Sequence, residues 1–256
     1  MHKLEFKYMI DGSKVPVLLR NLAPYLVHDD YSANRPEKCY TVNSIYLDTC
    51  QLDFYQEKLA GIKKRKKLRI RGYNERESNS ICFLEVKEKN GPVVHKTRTP
   101  VCFTDIRKVL TGKSGNTADN GSNADKFFYY MQSLHLLPIV KICYERKAYY
   151  YQFNNDIRLN IDNNLRASFS VTPEFLYEEE GMIPSFSGSI LEIKTKVGIP
   201  TWLNEIVLSL GLRLQPISKY ILCLNALSRY ERKLNRCIQG INKYYHTHSE
   251  LERKNA

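Results

Sequence analysis

The segment Lys67-Leu68-Arg69-Ile70-Arg71 alternates strictly between basic and aliphatic residues. A period of two places the basic side chains on one face of a β-strand and the aliphatic ones on the other. The same spacing of charges returns along the whole chain, in Glu5-Phe6-Lys7, Glu85-Val86-Lys87, Lys96-Thr97-Arg98, 158–162 and 192–196. The sequence therefore predicts several strands that share one mainly basic face and one apolar face.

Two architectures fit this pattern. An open sheet would expose its charged face to solvent, whereas a closed barrel with helices packed outside would gather the charges into one lumen. About eight predicted strands, with helices between them and a C-terminal helix after them, favour an α+β barrel.

Domain organisation and compartment follow from simpler features. No linker is long enough to divide the chain, so residues 1–256 are interpreted as a single domain, with a flexible polar loop at 112–125 and a frayed tail at 246–256. The 7 cysteines are odd in number and widely spaced, which is typical of a reduced compartment. No apolar run approaches the ~20 residues that span a bilayer. We therefore expect a cytoplasmic protein without a transmembrane segment.

The charge balance indicates a polyanionic partner. The chain has 39 Lys and Arg residues against 27 Asp and Glu, a formal net charge of +12. Nucleic acid, a phosphate chain and an anionic lipid would each complement such a charge. A nucleic-acid surface favours exposed aromatic residues beside the basic ones and needs no carboxylates in the same rows. Because Glu residues share the basic rows here, we expect no specific nucleic-acid partner.

The sequence contains no H-E-x-x-H, no G-x-S-x-G and no Cys/His set with zinc spacing. Phosphoryl transfer needs none of these, because it depends on positioning the phosphates and neutralising their charge. Lys and Arg side chains neutralise the charge, and a carboxylate-held Mg²⁺ or Mn²⁺ completes the task. A lumen rich in Lys and Arg, with one or two Glu, would supply those parts.

A series of short motifs over roughly residues 3–225 resembles the VTC domain, the polyphosphate polymerase branch of the triphosphate tunnel metalloenzymes. These motifs are Glu5-x-Lys7-Tyr8, Ser44-x-Tyr46-Leu47-Asp48-Thr49, Lys67-x-Arg69-x-Arg71, Glu85-x-Lys87, Tyr144-x-Arg146-x-Ala148-Tyr149, Arg158-x-x-x-Asp162, Glu192-x-Lys194 and Ser218-Lys219-Tyr220. The resemblance implies an antiparallel β-barrel whose tunnel binds triphosphate and metal. It also implies transfer of the γ-phosphate of ATP to a growing polyphosphate chain.

The resemblance further implies roles for individual residues. The expected catalytic residues are Arg69, Arg71, Lys87, Arg146, Arg158 and Lys219. The expected substrate-binding residues are Lys7, Lys96, Arg98, Tyr144, Lys194 and Ser218. Glu192 is the expected ligand of Mn²⁺ or Mg²⁺, with Glu85 and Glu5 as further candidates. Glu85 and Glu5 fit equally well as charge partners of neighbouring lysines.

Two positions depart from the family pattern. Tunnel hydrolases usually begin with Glu-x-Glu-x-Lys, but Lys3 stands at the first Glu position, which disfavours a two-metal triphosphatase. Fungal polymerases have a lysine two residues before the serine, where this chain has Pro216, so one phosphate contact is expected to be missing.

Three hypotheses remain: an ATP-dependent polyphosphate polymerase, a triphosphate hydrolase on the same barrel, and a non-catalytic module that binds polyphosphate or another polyanion. The partners would be ATP and polyphosphate. If the protein works at a membrane, a membrane-protein partner must anchor it. The sequence leaves the oligomeric state open.

Overall fold

The computed structural model describes residues 4–91, 93–111, 122–154, 156–169 and 172–230. Its strands are β1 (Leu4–Ile10), β2 (Leu26–His28), β3 (Tyr40–Asp48), β4 (Lys64–Tyr73), β5 (Ile81–Asn90), β6 (Val93–Cys102), β7 (Leu137–Tyr151), β8 (Ile157–Phe169), β9 (Ile183–Phe186) and β10 (Ser189–Thr195). Its helices are α1 (Val15–Leu22), α2 (Asp30–Ala33), α3 (Asp53–Leu59), α4 (Ile106–Leu110), α5 (Ser122–Ser133), α6 (Thr201–Ser209) and α7 (Lys219–Tyr230). Short 3₁₀ turns occur at Gly12–Lys14, Phe103–Asp105 and Pro173–Tyr177.

The strands form one antiparallel ladder in the order β1-β10-β8-β7-β3-β4-β5-β6, with β2 beside β7 and β9 beside β8. Strands β1 and β5 are far apart along this ladder, yet Lys87 Nζ on β5 lies 3.3 Å from Glu5 Oε2 on β1. The sheet therefore curls until its two ends approach each other. The prediction of an α+β fold built on a barrel-like antiparallel sheet is confirmed. Within the described residues β1 and β6 do not pair, so the curled sheet is open along that seam.

The alternation of charged and aliphatic residues decides which side chains enter the core. Leu68, Ile70 and Val86 on β4 and β5 pack with residues of α5 on the convex face. Leu159 and Ile193 on β8 and β10 pack with residues of α1 and α6. All five are buried, as the period of two predicts, and each contributes about 1.5–3 kcal/mol by leaving water. Helices on the convex face thus leave the concave face to the charged residues.

Helix α7 packs against the concave face instead. Tyr220 of α7 stacks on Tyr46 of β3, with 5.2 Å between the ring centroids. The Tyr220 hydroxyl donates a hydrogen bond of 2.5 Å to the buried carboxylate of Asp48. Asp48 also accepts hydrogen bonds from the backbone amides of Phe54 and Tyr55 in the first turn of α3. One carboxylate thus joins β3, α3 and α7 and fixes the position of the start of α7.

The prediction of a loop over residues 112–125 is wrong for the last four of them, because residues 122–125 form the first turn of α5. Asp125 places a negative charge in that turn, where the helix dipole favours one. Residues 112–121 and the predicted tail at 246–256 lie outside the described residues.

Among the helices that the structure describes, none combines the length and the apolar character needed to span a membrane. The single domain and the cytoplasmic location stay predictions.

Gly188, just before β10, should be essential for seating that strand against β1. A Cβ atom at this position would lie 2.6 Å from the backbone oxygen of Ile10 and 2.9 Å from the Phe186 ring. Because a backbone atom cannot yield easily, we expect Gly188→Ala to lower the free energy of unfolding by about 1–3 kcal/mol in urea denaturation. Gly12→Ala is the control, since a Cβ there meets open space. Equal stability of the two variants would contradict this packing.

Candidate functional site

The concave face carries a continuous row of polar side chains across the sheet, because directly paired residues share a face. The register pairs Lys7 with Glu192, Glu192 with Asn160, Arg146 with Asp162, Ser44 with Arg71, Arg69 with Glu85, Lys67 with Lys87, Lys87 with Lys96, and Glu85 with Arg98. Arg158 and Lys194 are paired residues on the same face. The Tyr144 ring contacts the guanidinium of Arg146. Ser218 and Lys219, at the start of α7, contact Lys67 and Asp162 of this face. The structure thus brings all the predicted site residues together on one face, while their roles stay predictions.

Glu85 is the buried anion of one half of the site, with only 2% of its surface exposed. Arg69 Nε donates to Glu85 Oε2 at 2.6 Å, and Lys96 Nζ lies 2.8 Å from Oε1. Arg98 Nε and Arg71 Nη1 approach within 3.5 and 3.9 Å. Burial would raise the pKa of Glu85, but Arg69, Arg71 and Lys96 outweigh it and lower the pKa well below its usual range. These contacts favour a charge partner of the cations over a metal ligand.

The surplus of positive charge also acts on neighbouring groups. Arg69 Nη1 donates to the Tyr46 hydroxyl at 2.8 Å. Burial raises the pKa of this phenol, yet Arg69 and Arg71 reverse the effect and lower it. Burial lowers the pKa of Lys96 to about 8, with Arg69 adding to the effect and Glu85 opposing it. The lowered pKa of the Tyr46 phenol therefore reflects the positive charge around it, whereas the lowered pKa of Lys96 reflects mainly burial.

Asp162 is the buried anion of the other half. Arg146 donates to its two oxygens at 2.6 and 2.8 Å, and Lys219 Nζ of α7 lies 2.5 Å from Oδ2. The guanidinium of Arg146 and the ammonium of Lys219 lie 5.2 and 4.7 Å from the centre of the Tyr144 ring. The Tyr144 hydroxyl accepts a hydrogen bond of 3.4 Å from Arg71 Nη2. Tyr144 therefore joins the two halves of the site.

Glu5 and Glu192 lie on either side of Lys7, whose Nζ is 3.3 Å from Glu5 Oε1 and 3.9 Å from Glu192 Oε2. Lys194 Nζ lies 2.6 Å from Glu192 Oε1. Burial raises the pKa of Glu192, but Lys194, Lys7 and Arg146 lower it well below its usual range. Glu192 is therefore a buried carboxylate that keeps its negative charge at neutral pH.

Other predicted residues lie towards the rim. Lys87 spans the distance from β5 to β1, as described above. Arg158 Nη2 donates to Asp29 Oδ2 at 3.1 Å, and Asp29 in turn accepts from the backbone amide of Ser32 in α2. The guanidinium of Arg98 lies 3.5 Å from the centre of the Phe83 ring. These contacts hold the side chains at the rim in defined positions.

The donor set fits a divalent ion that is shared with bound phosphates. The described residues hold no group of three Asp, Glu, His or Cys side chains placed to bind a metal. Mg²⁺ does not require one, because phosphates and water supply its remaining ligands. Glu5 and Glu192 offer two carboxylates, and Asn160 adds an amide next to Glu192. Asn160 is fully buried, and among the described residues neither its Oδ1 nor its Nδ2 has a hydrogen-bond partner.

The site residues that were predicted from the sequence do not include several residues of the concave face. Lys67 belongs to the same alternating strand as Arg69, so the spacing alone would have included it. Asp162 belongs to one of the motifs that resemble the VTC domain, but only the folded structure shows that it is buried between Arg146 and Lys219. Asn160 and Tyr46 carry no charge, and the search for a charge ladder therefore had no signal for them.

The two departures from the family pattern have different outcomes. Lys3 lies outside the described residues. Pro216 carries no charge, as expected, but the basic residue Lys67 lies beside Ser218. Lys67 Nζ of β4 donates a hydrogen bond of 2.9 Å to Ser218 Oγ.

Comparison with known families gives one match, in which the family model of the VTC domain spans residues 2–228. The PH1819 protein of Pyrococcus horikoshii OT3 is a structural neighbour with 15% sequence identity and a TM-score of 0.47, over 88% of this chain and 99% of the other. The Mimivirus capping enzyme triphosphatase has 12% identity and a TM-score of 0.30, over 81% of this chain and 87% of the other. At such low scores these likenesses carry no weight. No curated protein has a significantly similar sequence.

Asp162 should stabilise the fold by neutralising Arg146 and Lys219. Asp162→Asn leaves two buried cations without their anion, and we expect it to lower the free energy of unfolding by about 3–5 kcal/mol at neutral pH. Burial raises the pKa of Asp162, but Arg146 and Lys219 overcome this and lower it. The stabilisation is therefore complete above the unfolded pKa of about 3.9 and is lost as the pH falls through the lower folded pKa.

Urea denaturation at several pH values measures this difference between wild type and Asp162→Asn, which should shrink below about pH 4. Glu205→Gln, at an exposed position of α6, is the matched control and should change stability by less than about 0.5 kcal/mol. A difference that stays constant into acid would show that the Asp162 charge is not what stabilises the site.

Proposed function

This chain belongs to the VTC domain family of the triphosphate tunnel superfamily, and we propose that it is an ATP-dependent polyphosphate polymerase. It would transfer the γ-phosphate of ATP to the end of a polyphosphate chain while both lie on the basic concave face. One observation carries the proposal. On this concave face the basic side chains clearly outnumber the carboxylates, and the carboxylates are already bound to them.

A long anion suits this face better than a compact one. Lys67, Arg69 and Arg71 follow one another along β4 at every second residue, a spacing of about 6.8 Å. Lys7 on β1 and Lys194 on β10 continue the basic row on the other side of the curled sheet. A chain of phosphates could therefore contact cations from several strands at once.

The chain's own residues would position and neutralise the phosphates. Arg71 is 6% exposed, and the hydroxyls of Ser44 and Tyr144 orient its guanidinium at 3.2 and 3.4 Å. A guanidinium held in this way can bind two phosphate oxygens with little further loss of entropy. Arg69 and Lys96 would stabilise charge that develops during transfer, because Glu85 holds them in place before the substrate arrives.

Glu192, Glu5 and Asn160 would hold the divalent ion. When bound, Mn²⁺ or Mg²⁺ supplies charge stabilisation on the nucleotide phosphates. Glu192 remains ionised in a buried position, so it can offer a ligand oxygen without first losing a proton. Lys7 and Lys194, which lie 3.9 and 2.6 Å from Glu192, would contact phosphate oxygens beside this carboxylate.

The hydrolase and the non-catalytic module remain as second hypotheses. Purified protein with ATP and Mn²⁺ is assayed for polyphosphate, free phosphate and ADP. The proposal predicts long chains together with ADP. Free phosphate without chains would favour the hydrolase and contradict the proposal. Tight polyphosphate binding without any turnover would favour the binding module.

Arg71→Lys separates the planar fork of arginine from its charge. Lysine keeps the positive charge but cannot bind two oxygens in the same plane. We expect turnover to fall by about 10- to 1000-fold, the effect of losing a few kcal/mol of transition-state stabilisation. Steady-state kinetics measure the change. Arg107→Lys, an exposed arginine of α4, is the control, and wild-type turnover in Arg71→Lys would remove Arg71 from the site.

Glu192→Gln keeps the shape of the side chain and removes its charge. If Glu192 is a metal ligand, the variant should lose Mn²⁺-dependent turnover but still bind polyphosphate in the absence of metal. Binding should become tighter, because one negative charge has left the basic face. Activity titrated with Mn²⁺ and polyphosphate affinity are measured on the same preparation. Retained Mn²⁺-dependent synthesis would show that Glu192 serves only as a charge partner of Lys7 and Lys194.

A further inference from the structure

Lys141 is a buried lysine that the concave site does not use. It lies on β7, where its direct partners are Ile45 of β3 and Ser168 of β8. Directly paired residues share a face, and Ile45 packs in the core of the convex face, so Lys141 belongs to that face as well. Lys141 is 1% exposed, and among the described residues its Nζ has no hydrogen-bond partner. An acceptor from outside the chain would therefore stabilise this buried amine.

The acidic residues around Lys141 do not pair with it. Glu178 and Glu179, which follow the 3₁₀ turn Pro173–Tyr177, are the carboxylates that act on its charge. Arg166 of β8 donates to the two oxygens of Glu179 at 2.9 and 3.2 Å. Glu178 is exposed, and within the described part of the chain neither glutamate contacts Lys141 Nζ. Arg166 thus takes the carboxylate that could otherwise have been the partner of Lys141.

Lys141 lines a pocket of about 350 Å³ at the end of β8. The pocket lies between the segment 173–181 and the end of α7, and five of its other lining residues are apolar or aromatic: Phe169, Phe175, Ile183, Leu227 and Tyr230. Glu178 and Glu180 also line it and are exposed, so they lie at its mouth. Such a volume, with mostly apolar walls and few polar groups, is typical of a site for a small organic molecule.

This pocket is separate from the concave site. Helix α7 begins beside the concave site at Lys219 and reaches the pocket at Tyr230, about 16 Å away along the helix axis. Among the described residues that line the pocket, none belongs to the concave site. The two sites can therefore hold different ligands at the same time.

We infer that this pocket binds a small organic monocarboxylate with an apolar body, such as a medium-chain fatty acid, and that Lys141 binds its carboxylate. The carboxylate would supply the acceptor that the Lys141 ammonium lacks within the described residues. The side chains of Phe169 and Leu227 would cover the hydrocarbon. This inference does not depend on the proposed function, because it concerns another pocket and another ligand.

The charges of the pocket disfavour the ligands that we propose for the concave face. Lys141 is the only cation among the described lining residues, and Glu178 and Glu180 place two negative charges at the mouth. A single carboxylate that reaches Lys141 is neutralised there, whereas a chain of phosphates would extend past both glutamates and be repelled. Burial lowers the pKa of Lys141 to about 8, so its amine is mainly protonated at pH 7.

Calorimetric titration with octanoate at pH 7, below its micelle concentration and without metal or nucleotide, tests the inference. Octanoate should bind at one site, and hexanoate about 16-fold more weakly, since each buried methylene tightens binding about fourfold. Octan-1-ol has the same chain without the carboxylate and should bind at least about tenfold more weakly than octanoate. Saturating tripolyphosphate should leave the affinity for octanoate unchanged. Equal affinity for octanoate and octan-1-ol, or displacement of octanoate by tripolyphosphate, would overturn the inference.

Lys141→Met removes the amine and keeps a long, unbranched side chain. Its melting temperature should not fall, because the amine that it removes is buried without a partner among the described residues. Its affinity for octanoate should fall at least about tenfold, while its affinity for octan-1-ol stays at the wild-type value. Lys108→Met, at an exposed lysine of α4, is the matched control and should bind octanoate as wild type does. Wild-type octanoate affinity in Lys141→Met, or no octanoate binding to the wild-type protein, would refute the inference.

Discussion

Repulsion among clustered cations is the constraint on which this structure depends. Unit charges of like sign 4 Å apart repel by about 4 kcal/mol at the effective dielectric of a protein surface, so a bare row of lysines and arginines could not fold into a narrow face. The buried carboxylates of Glu85 and Asp162 offset part of this repulsion. Each is about 2% exposed and contacts two or more cations, so that each half of the site is built around one buried anion. The carboxylates reduce the repulsion without removing the net positive charge.

The same arrangement would prepare the site for the ligand that we propose. Because carboxylates and hydroxyls already hold Arg69, Arg71 and Arg146, the phosphate binding that we propose would cost little side-chain entropy. The fold places these residues through its apolar face, where the helices α1, α5 and α6 pack on the aliphatic partners of the same strands. Helix α7 completes the site from the concave side, where Asp48 and Tyr46 anchor Tyr220 and thereby position Ser218 and Lys219.

Much of this could be predicted from the sequence, because a period of two reports directly on the two faces of a strand. The alternation at 67–71 was enough to separate Arg69 and Arg71 from Leu68 and Ile70, and the order of the charged triplets indicated the family. Three features depend on tertiary structure and had no local signal. The hydrogen bond between Lys67 and Ser218 joins residues 151 positions apart. The Asn160 amide is buried and has no hydrogen-bond partner within the described part of the chain. The start of α5 at Ser122 lies in a stretch whose composition is typical of a loop.

The central claim is that polyphosphate binds on the concave face between β4, β5, β10 and the start of α7. A crystal structure of the protein with bound tripolyphosphate tests it most directly. The account predicts phosphate density in contact with Lys67, Arg69, Arg71 and Ser218, on the side of the sheet opposite Leu68 and Ile70. Tripolyphosphate bound on the convex face, or at the basic run 63–66 with the concave face empty, would contradict it.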